Sequence, residues 1–326
     1  ASGSACYIPS GTYKCSALTL TSRIKVFGDG MYKSVINSTV TGTTDALTIS
    51  PLVGGGNTGY FFQNFGITNV TTGNGGYGIR IILNTNAYFS NSEFTNLYVG
   101  TFGKQGLCFD NTIANADGFF SLTVRRSWIT NGIIGVNVGD SINIEQNTIT
   151  GPTNVNYIGV QLSSFAGARQ IVIDSNNITT IGGGIYLNTV YGCTIRNNQI
   201  EYPSTTVAYT GVLNGWVTIQ NCLHTTIEEN TITPDIGGSI TNIQSAIAIT
   251  GTSKRTYIRT NELTKGETNH IESASGTNMT FVYPDNRYDT LNPVFNLLGT
   301  DTRGVWITPT LLNSWANTGG TWGNVK

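Results

Sequence analysis

The chain has 326 residues, a formal net charge of -1 and only 11% charged residues, where a quarter is usual. Its Gly (40 residues), Thr, Asn and Ile content is typical of a β-rich protein with many turns. It is not typical of a disordered chain, which combines low hydrophobicity with high net charge. Near-neutral charge without a Lys/Arg cluster argues against nucleic acid as a partner. Membrane insertion is not expected either, since no apolar run approaches the roughly 18 residues that span a bilayer.

A strand-like pattern recurs along the chain: apolar, any, apolar, two polar residues, Asn, any, apolar. In chain order the copies are residues 60–68 (YFFQNFGIT), 87–95 (AYFSNSEFT), 122–130 (LTVRRSWIT), 142–150 (INIEQNTIT), 171–179 (IVIDSNNIT), 193–201 (CTIRNNQIE), 225–233 (TTIEENTIT) and 256–264 (TYIRTNELT). Their spacing is uneven, which indicates that core strands repeat while the loops between them vary. Such a repeat without helical periodicity predicts an all-β solenoid.

A second motif lies between these copies. It comprises residues 78–82 (GIRII), 106–109 (GLCF), 135–138 (GVNV), 159–162 (GVQL), 184–187 (GIYL), 216–219 (WVTI) and 246–249 (AIAI). Each coil is therefore predicted to hold three short strands. We call them the first strand (this motif), the second strand (before the Asn) and the third strand (after the Asn).

The pattern resembles the right-handed, single-stranded parallel β-helix of the pectate-lyase-like superfamily over about residues 5–290. The opening residues 5–36 also resemble the first coils of phage tailspike and appendage proteins, with an "IP-GTY" turn at residues 8–13 and a "GDG" turn at residues 28–30. The resemblance implies a β-helix domain over residues 1–290. It also implies that residues 291–326 form a C-terminal extension leading to a separate β-domain, so that the chain is a fragment or a processed piece.

The sixth position of the repeat is mostly asparagine. The column reads Phe65, Ser92, Ser127, Asn147, Asn176, Asn198, Asn230 and Asn261. A sharp turn between the second and third strands favours Asn, which tolerates left-handed backbone conformations. Its amide can also bond to the turn of its own or the next coil, as in the asparagine ladder of the superfamily. A ligand-binding role is the alternative.

The outward position that ends the second strand forms a charge stripe. It reads Gln63, Ser90, Arg125, Glu145, Asp174, Arg196, Glu228 and Arg259. One interpretation is a surface ladder of ion pairs, each contributing little. The other is that Glu145 and Asp174, flanked by Arg125 and Arg196, are a catalytic pair, because two carboxylates about 5 Å apart suit a retaining glycosidase.

The outward position that ends the third strand is Thr in seven of eight copies, as expected of an exposed β-branched column. The exception is Glu201, which opens a long insertion and is therefore a candidate catalytic residue. Neighbouring coils insert residues 151–157 and 234–244 at the same corner, and the second of these contains Asp235, a further catalytic candidate. Binding residues concentrate in loops on a rigid scaffold.

The resemblance places a saccharide cleft at this corner and along the neighbouring first strands. The predicted outward column of the first strands reads Arg80, Cys108, Asn137, Gln161, Tyr186, Thr218 and Ala248. Aromatic faces and amides suit sugar rings, which present C–H faces and hydroxyls. The candidate substrate-binding residues are Tyr157, Tyr186, Tyr202, Trp216, Gln161, Asn137, Arg125 and Arg196.

The remaining reactive residue types predict no further chemistry. The five cysteines, Cys6, Cys15, Cys108, Cys193 and Cys222, lack CxxC spacing and are interpreted as small buried hydrophobes, with a Cys6–Cys15 pair as the alternative. The chain has only two His, so we expect neither a metal site nor a cofactor. Turn positions are expected for Asp110, Asp117 and Asp140.

The resemblance implies a phage tail receptor-binding protein on the virion tail that acts outside the cell, at the bacterial surface. It would bind and depolymerise a surface glycan (capsule, O-antigen or teichoic acid) by carboxylate acid/base hydrolysis, as a homotrimer that contacts other tail proteins. A narrower resemblance to the appendages of small Bacillus phages would imply teichoic acid. Elimination by a polysaccharide lyase is the alternative chemistry, and a non-catalytic adhesin or trimeric shaft is the alternative function.

Overall fold

The computed structural model describes residues 4–21, 23–50, 56–85, 87–112, 118–151, 157–203, 215–233, 245–264, 269–274, 276–283, 285–289 and 294–298. These residues form 32 β-strands. Within the described ranges there is no helix long and apolar enough to cross a membrane.

The strands in chain order begin with β1 (Ser4–Ile8), β2 (Gly11–Cys15), β3 (Leu18–Leu20), β4 (Ile24–Gly28), β5 (Ser34–Ser38), β6 (Leu47–Ile49), β7 (Gly56–Thr58), β8 (Phe61–Gln63), β9 (Gly66–Asn69), β10 (Ile79–Ile82) and β11 (Tyr88–Thr95). They continue with β12 (Tyr98–Val99), β13 (Leu107–Asp110), β14 (Gly118–Arg125), β15 (Trp128–Thr130), β16 (Ile133–Val136), β17 (Ile142–Glu145), β18 (Thr148–Thr150), β19 (Ile158–Asp174), β20 (Asn177–Ile181), β21 (Gly183–Arg196) and β22 (Gln199–Pro203). The last are β23 (Gly215–Gln220), β24 (Leu223–Glu228), β25 (Thr231–Thr233), β26 (Ser245–Thr250), β27 (Lys254–Arg259), β28 (Glu262–Leu263), β29 (Asn269–Ser273), β30 (Asn278–Val282), β31 (Arg287–Tyr288) and β32 (Phe295–Leu297).

The strands stack in parallel as the predicted right-handed β-helix with three strands per coil. Third strands form an 11-stranded sheet, which we call the third sheet, whereas first and second strands join in one 21-stranded sheet. The join arises because strands such as β19 and β21 continue around the corner from first to second strand without a break. β32 still pairs with β29, so coil stacking continues to residue 297.

The core is a stack of inward columns, one from each strand of the coil. The second-strand column runs Phe62, Phe94, Val124, Ile144, Ile173, Ile195, Ile227 and Ile258, and the third-strand column runs Ile67, Val99, Ile129, Ile149, Ile178, Ile200, Ile232 and Leu263, all buried. β-branched side chains suit this position because they fit the pleat of a buried parallel sheet. Toward the amino-terminal end aromatic rings replace them, with Phe62 and Phe94 stacked at 5.0 Å.

Two predicted repeat registers are wrong. Phe94 pairs with Phe62 and Thr95 with Gln63, so the copy at residues 87–95 is really at residues 92–100, with Leu97 instead of Ser92 at the sixth position. The error arose because β11 continues without a break around the corner between first and second strand, at Asn91 (φ 48°). The residues at this corner therefore match the repeat pattern although they are not its turn. The copy at residues 135–138 is likewise displaced, by three residues, because Cys108 pairs with Ile134 and not with Asn137.

The asparagine ladder is present and longer than predicted. Its members are Asn147, Asn176, Asn198, Asn230, Asn261 and Asn286, all buried. In each of the five steps the side-chain Nδ2 donates to the Oδ1 of the next coil's Asn at 2.9–3.0 Å. At the amino-terminal end the Ser127 backbone N–H donates to Asn147 Oδ1 at 3.1 Å.

The left-handed backbone conformation belongs to a different residue than predicted. In the five coils from Asn147 to Asn261 the residue before the ladder position has positive φ, for example Gln146 (57°), Asn197 (54°) and Glu229 (56°), and Asn198 does not. The backbone part of the Asn explanation is therefore wrong, and the amide hydrogen bonds account for the column.

Candidate functional site

The charge stripe lies on the outward face of the second strands. Arg125 pairs in register with Glu145, Glu145 with Asp174, and Asp174 with Arg196. Equivalent positions on neighbouring parallel strands are about 4.8 Å apart. The fold therefore places Glu145 and Asp174 side by side, as the repeat predicted.

Asp174 is held as an anion. Arg196 donates to its Oδ2 from Nε at 3.1 Å and from Nη2 at 3.0 Å, while Asn197 and Ser175 donate to Oδ1 at 3.1 and 2.9 Å. Burial raises the pKa of this carboxyl, but the hydrogen bonds from Asn197, Ser175 and Arg196 outweigh it and leave the pKa below its usual value.

Glu145 differs from Asp174 because it has no ion-pair partner among the residues that the structure describes. The predicted partner Arg125 turns to the preceding coil, where its Nη2 lies 2.6 Å from Glu93 Oε1. Thus the two neighbouring carboxyls have different environments, one neutralised by an arginine and one not. Such a pair can divide the roles of anion and proton donor.

Further along the stripe, Glu228 and Arg259 form a simple surface ion pair. Arg259 Nη2 lies 2.6 Å from Glu228 Oε2, and its side chain is 51% exposed. An exposed pair of this kind contributes at most about 1 kcal/mol. The ladder interpretation therefore describes these two residues well.

Glu201 lies apart from this pair. It sits in β22 of the third sheet between Thr179 and Thr233, across the asparagine turn from the charge stripe. It is half-buried, and Gln199 Nε2 donates to its Oε1. Asp235 lies outside the described residues, as do most of the insertions at this corner, so their roles stay predictions.

Two of the predicted sugar-binding aromatics are not exposed. Tyr186 is 5% exposed and donates its hydroxyl to Gln220 Oε1, and Trp216 is 3% exposed. Both pack against the hydrophobic core, so the expectation that they present flat faces to solvent is wrong. Tyr157 is half-buried and donates to the Gly103 carbonyl at 2.5 Å.

Other predicted binding residues have mixed outcomes. Asn137 is not in the outward column, because Ile134 occupies that place. It follows β16 with φ 53°, and its Nδ2 donates to the Asn111 carbonyl at 2.7 Å, which makes it a turn residue. Gln161 does lie in the column, half-buried beside Tyr186. The side chain of Tyr202 lies outside the description.

A cluster that the sequence did not predict surrounds Arg80 on the first-strand face. Its Nη1 lies 3.3 Å from Asp45 Oδ2 and its Nη2 lies 2.5 Å from Asp110 Oδ2, and both carboxyls are nearly buried. Burial raises the pKa of Asp110, but Arg80 and Thr112 outweigh it, so the pKa is lowered. These contacts join residues 30 and 35 positions apart, and no local pattern reveals them.

A second cluster near the carboxyl-terminal coils was also missed. Glu272 lies in the first-strand column beside Ala248, and burial raises the pKa of its carboxyl. Nearby, His270 accepts a hydrogen bond at Nδ1 from the Val294 N–H at 3.0 Å, so its Nε2 carries the proton and donates to Asp289 at 2.6 Å. The Val294 N–H thus selects the tautomer of His270 that carries its proton on Nε2.

All five cysteines are free thiols, and Cys108, Cys193 and Cys222 are buried, as the small-hydrophobe interpretation predicts. That interpretation is wrong for Cys6, which is exposed, and Cys15 is only half-buried. Cys6 and Cys15 lie in β1 and β2 of different sheets and do not pair. Burial raises the pKa of the Cys108 and Cys222 thiols to about 12. The described residues include no group of three His, Cys, Asp or Glu placed to hold a metal ion.

Comparison with known proteins supports the fold. No protein-family model matches the chain, and no curated protein matches it. Among solved structures it is similar to the Agl-KA catalytic domain (TM-score 0.54, 15% identity, covering 89% of this chain and 62% of that one). It is also similar to tailspike protein 3 of bacteriophage CBA120 (TM-score 0.51, 12% identity, covering 93% and 57%). The A-module of Azotobacter vinelandii mannuronan C-5 epimerase AlgE6 matches with a TM-score of 0.48, 15% identity, and 92% and 91% coverage.

These likenesses are in fold alone, because the identities are low. The chain spans about three fifths of the Agl-KA catalytic domain and of the tailspike protein.

Proposed function

We propose that this protein is a phage tail receptor-binding protein that binds a bacterial surface glycan and depolymerises it by hydrolysis. The observation that carries the proposal is the Glu145–Asp174 pair, two outward carboxyls in register on adjacent coils with different environments. The similarity in fold to a bacteriophage tailspike protein supports the phage context.

In the proposed reaction, Asp174 acts as the nucleophile because its hydrogen bonds hold it as an anion. Glu145 donates a proton to the glycosidic oxygen as the C–O bond breaks, and an Asp174 oxygen forms an ester bond to the anomeric carbon. Water then attacks that carbon, gives its proton to Glu145 and releases Asp174. A separation of about 5 Å between the carboxyls suits this double displacement, which retains anomeric configuration.

The test is incubation of the chain with purified capsule, O-antigen and teichoic acid, followed by size-exclusion chromatography and a reducing-end assay. Glu145→Gln and Asp174→Asn should each lower the rate at least about 100-fold. Glu228→Gln, in the same stripe but paired with Arg259, should keep the wild-type rate. Loss of activity in Glu201→Gln with full activity in Glu145→Gln would move the site to the third sheet.

The products identify the chemistry. New reducing ends support hydrolysis, new C=C double bonds indicate a lyase, and phosphomonoester ends on teichoic acid indicate a phosphodiesterase. If the wild-type chain binds a polymer and leaves it intact, it is an adhesin, and the hydrolase proposal fails.

We propose further that the protein is a homotrimer on the virion tail, in contact with other tail proteins and acting at the bacterial surface. This rests on the resemblance of the opening residues and the coil repeat to phage tailspike proteins. Sedimentation equilibrium tests the assembly state, and a chain that stays monomeric at assay concentration would contradict it.

A further inference from the structure

Three aromatic side chains line the outward face of the third sheet over its first coils. Tyr98 and Trp128 pair in register between β12 and β15, and the ring centroid of Tyr32 lies 5.1 Å from that of Tyr98. Tyr32 is 58% exposed, Trp128 is 40% exposed and Tyr98 is half-buried. We call these three residues the aromatic track. With strands about 4.8 Å apart, its rings succeed one another along the helix axis.

The fold orients these rings. Gly66 lies beside Tyr98 in the same column, and a Cβ there would stand 3.5 Å from Tyr98 Cδ1 and 2.5 Å from the Met31 carbonyl. The missing side chain lets the turn that carries Tyr32 approach closely. The indole Nε1 of Trp128 donates to Thr150 Oγ1 at 3.3 Å. The track is therefore a built surface whose rings need little reordering to bind a ligand.

The chemistry around the track is neutral and rich in hydroxyls. The strands β5, β9, β12, β15 and β18 are described in full and contain no charged residue. The next strand toward the amino terminus, β2, carries one charged residue, Lys14, in register with Asn37. Hydroxyls and an amide lie beside the rings along these strands: Asn37, Thr68, Thr130, Thr148 and Thr150. Lys33 and Arg126 occupy the flanking turns only. Flat amphipathic rings next to hydrogen-bonding groups match the C–H faces and hydroxyls of sugars.

The track is too small for a stable protein interface. A fully buried aromatic side chain covers about 150–250 Å², so at the observed exposures the three rings present roughly 300 Å². A stable protein–protein interface needs about 800 Å² from each partner. The size and the lack of charge favour a narrow, neutral ligand.

We propose that the aromatic track binds neutral sugar units of a glycan strand lying along the helix axis. This inference rests on the proposed function, because it assigns a second contact for the same polymer. The track and the Glu145–Asp174 pair lie on adjacent faces, separated by the asparagine turn. The track therefore anchors the polymer without contacting the reacting bond.

The experiment is native affinity electrophoresis of the wild-type chain in gels cast with capsule, O-antigen, dextran, galactomannan or alginate. Trp128→Ala and Tyr98→Ala should each raise the dissociation constant for the polymer, measured from the retardation of the protein band, about tenfold, as for loss of one aromatic anchor. Trp128→Phe should retain most of it. The matched control is Phe27→Ala, because Phe27 is equally exposed (39%) but lies in β4 of the other sheet.

A depolymerisation assay separates this inference from the proposed function. With a cleaved polymer, Trp128→Ala should raise KM and leave kcat unchanged, whereas Glu145→Gln should lower kcat. Retardation that is equal in wild type and Trp128→Ala overturns the inference even if cleavage is confirmed. Loss of retardation in Trp128→Ala supports the inference even if no polymer is cleaved. If only the anionic alginate retards the protein, and salt abolishes this retardation, the assignment to neutral sugars is overturned. If no polymer retards the protein, the proposal that the aromatic track binds a glycan is overturned.

Discussion

Replacing Asn198 by glycine separates the two explanations of the asparagine column. The side chain is 1% exposed. Its Nδ2 donates to the carbonyls of Ile173 and Arg196 and to Asn230 Oδ1, each at 2.9 Å. Its Oδ1 accepts from the backbone N–H of Asn176 at 3.0 Å and from Asn176 Nδ2 at 2.9 Å. If the column existed for its backbone conformation, glycine would replace Asn198 with little loss.

The hydrogen bonds predict a large loss instead. Glycine leaves two buried donors of Asn176 without their acceptor, and each buried group left unpaired costs about 1–3 kcal/mol. Together with about 0.5–1 kcal/mol for the added flexibility of glycine, we expect Asn198→Gly to lower the free energy of unfolding by about 4 kcal/mol. Urea unfolding followed by circular dichroism measures this change.

The matched control is the neighbouring residue. Asn197 has φ 54° and an exposed side chain, and glycine adopts that conformation without strain. Asn197→Gly removes an exposed hydrogen bond to Asp174 Oδ1 but no buried one, so it should change the free energy of unfolding by only about 1 kcal/mol. Equal losses in the two variants would refute the assignment of the column to amide hydrogen bonds.

Arg80→Ala should lower the free energy of unfolding, measured in urea, by about 3 kcal/mol, because it leaves the nearly buried carboxyls of Asp45 and Asp110 without their ion-pair partner. Arg259→Ala, which removes an exposed ion pair, should lower it by at most about 1 kcal/mol; equal losses would contradict a stabilising role of the Arg80 cluster. Asp174→Asn should destabilise the protein most near neutral pH. The lowered pKa of Asp174 means that its contribution is fully present above the unfolded pKa of about 4 and is lost as the pH falls through the folded pKa. Melting temperatures of the two proteins should converge in acid, and a constant gap would argue against ionisation as the cause.

The coil architecture was predictable because it is periodic. Inward Ile and the buried Asn must recur wherever coils stack, so the sequence shows both columns directly. The register at residues 87–95 failed for a physical reason: β11 passes the corner as a continuous strand, and Phe89 and Phe94 are both buried, so alternation alone cannot tell which one follows the corner.

The candidate site was predictable only where it follows the same periodicity. Glu145 and Asp174 are neighbours because the repeat aligns them. The burial of Trp216 and Tyr186 depends on their packing against the core and, for Tyr186, on its hydrogen bond to Gln220. The approach of Asp45 and Asp110 to Arg80 depends on packing between coils. Neither feature can be read from a local sequence pattern.

The asparagine ladder has a direction. In each of the five side-chain steps the amide donates toward the carboxyl-terminal coil and the next amide accepts from the amino-terminal one, so the amide dipoles align and polarise one another. The side-chain Oδ1 thus accepts only from the amino-terminal side, whereas Nδ2 bridges the two neighbouring coils, donating to the next Oδ1 and to a backbone carbonyl of the preceding coil. For protein engineering this suggests that a whole coil can be removed or inserted between rungs with its hydrogen bonds still matched. The coil of Ser127 continues the same pattern without an asparagine, because its Oγ accepts from the Leu97 N–H and its own N–H donates to Asn147 Oδ1.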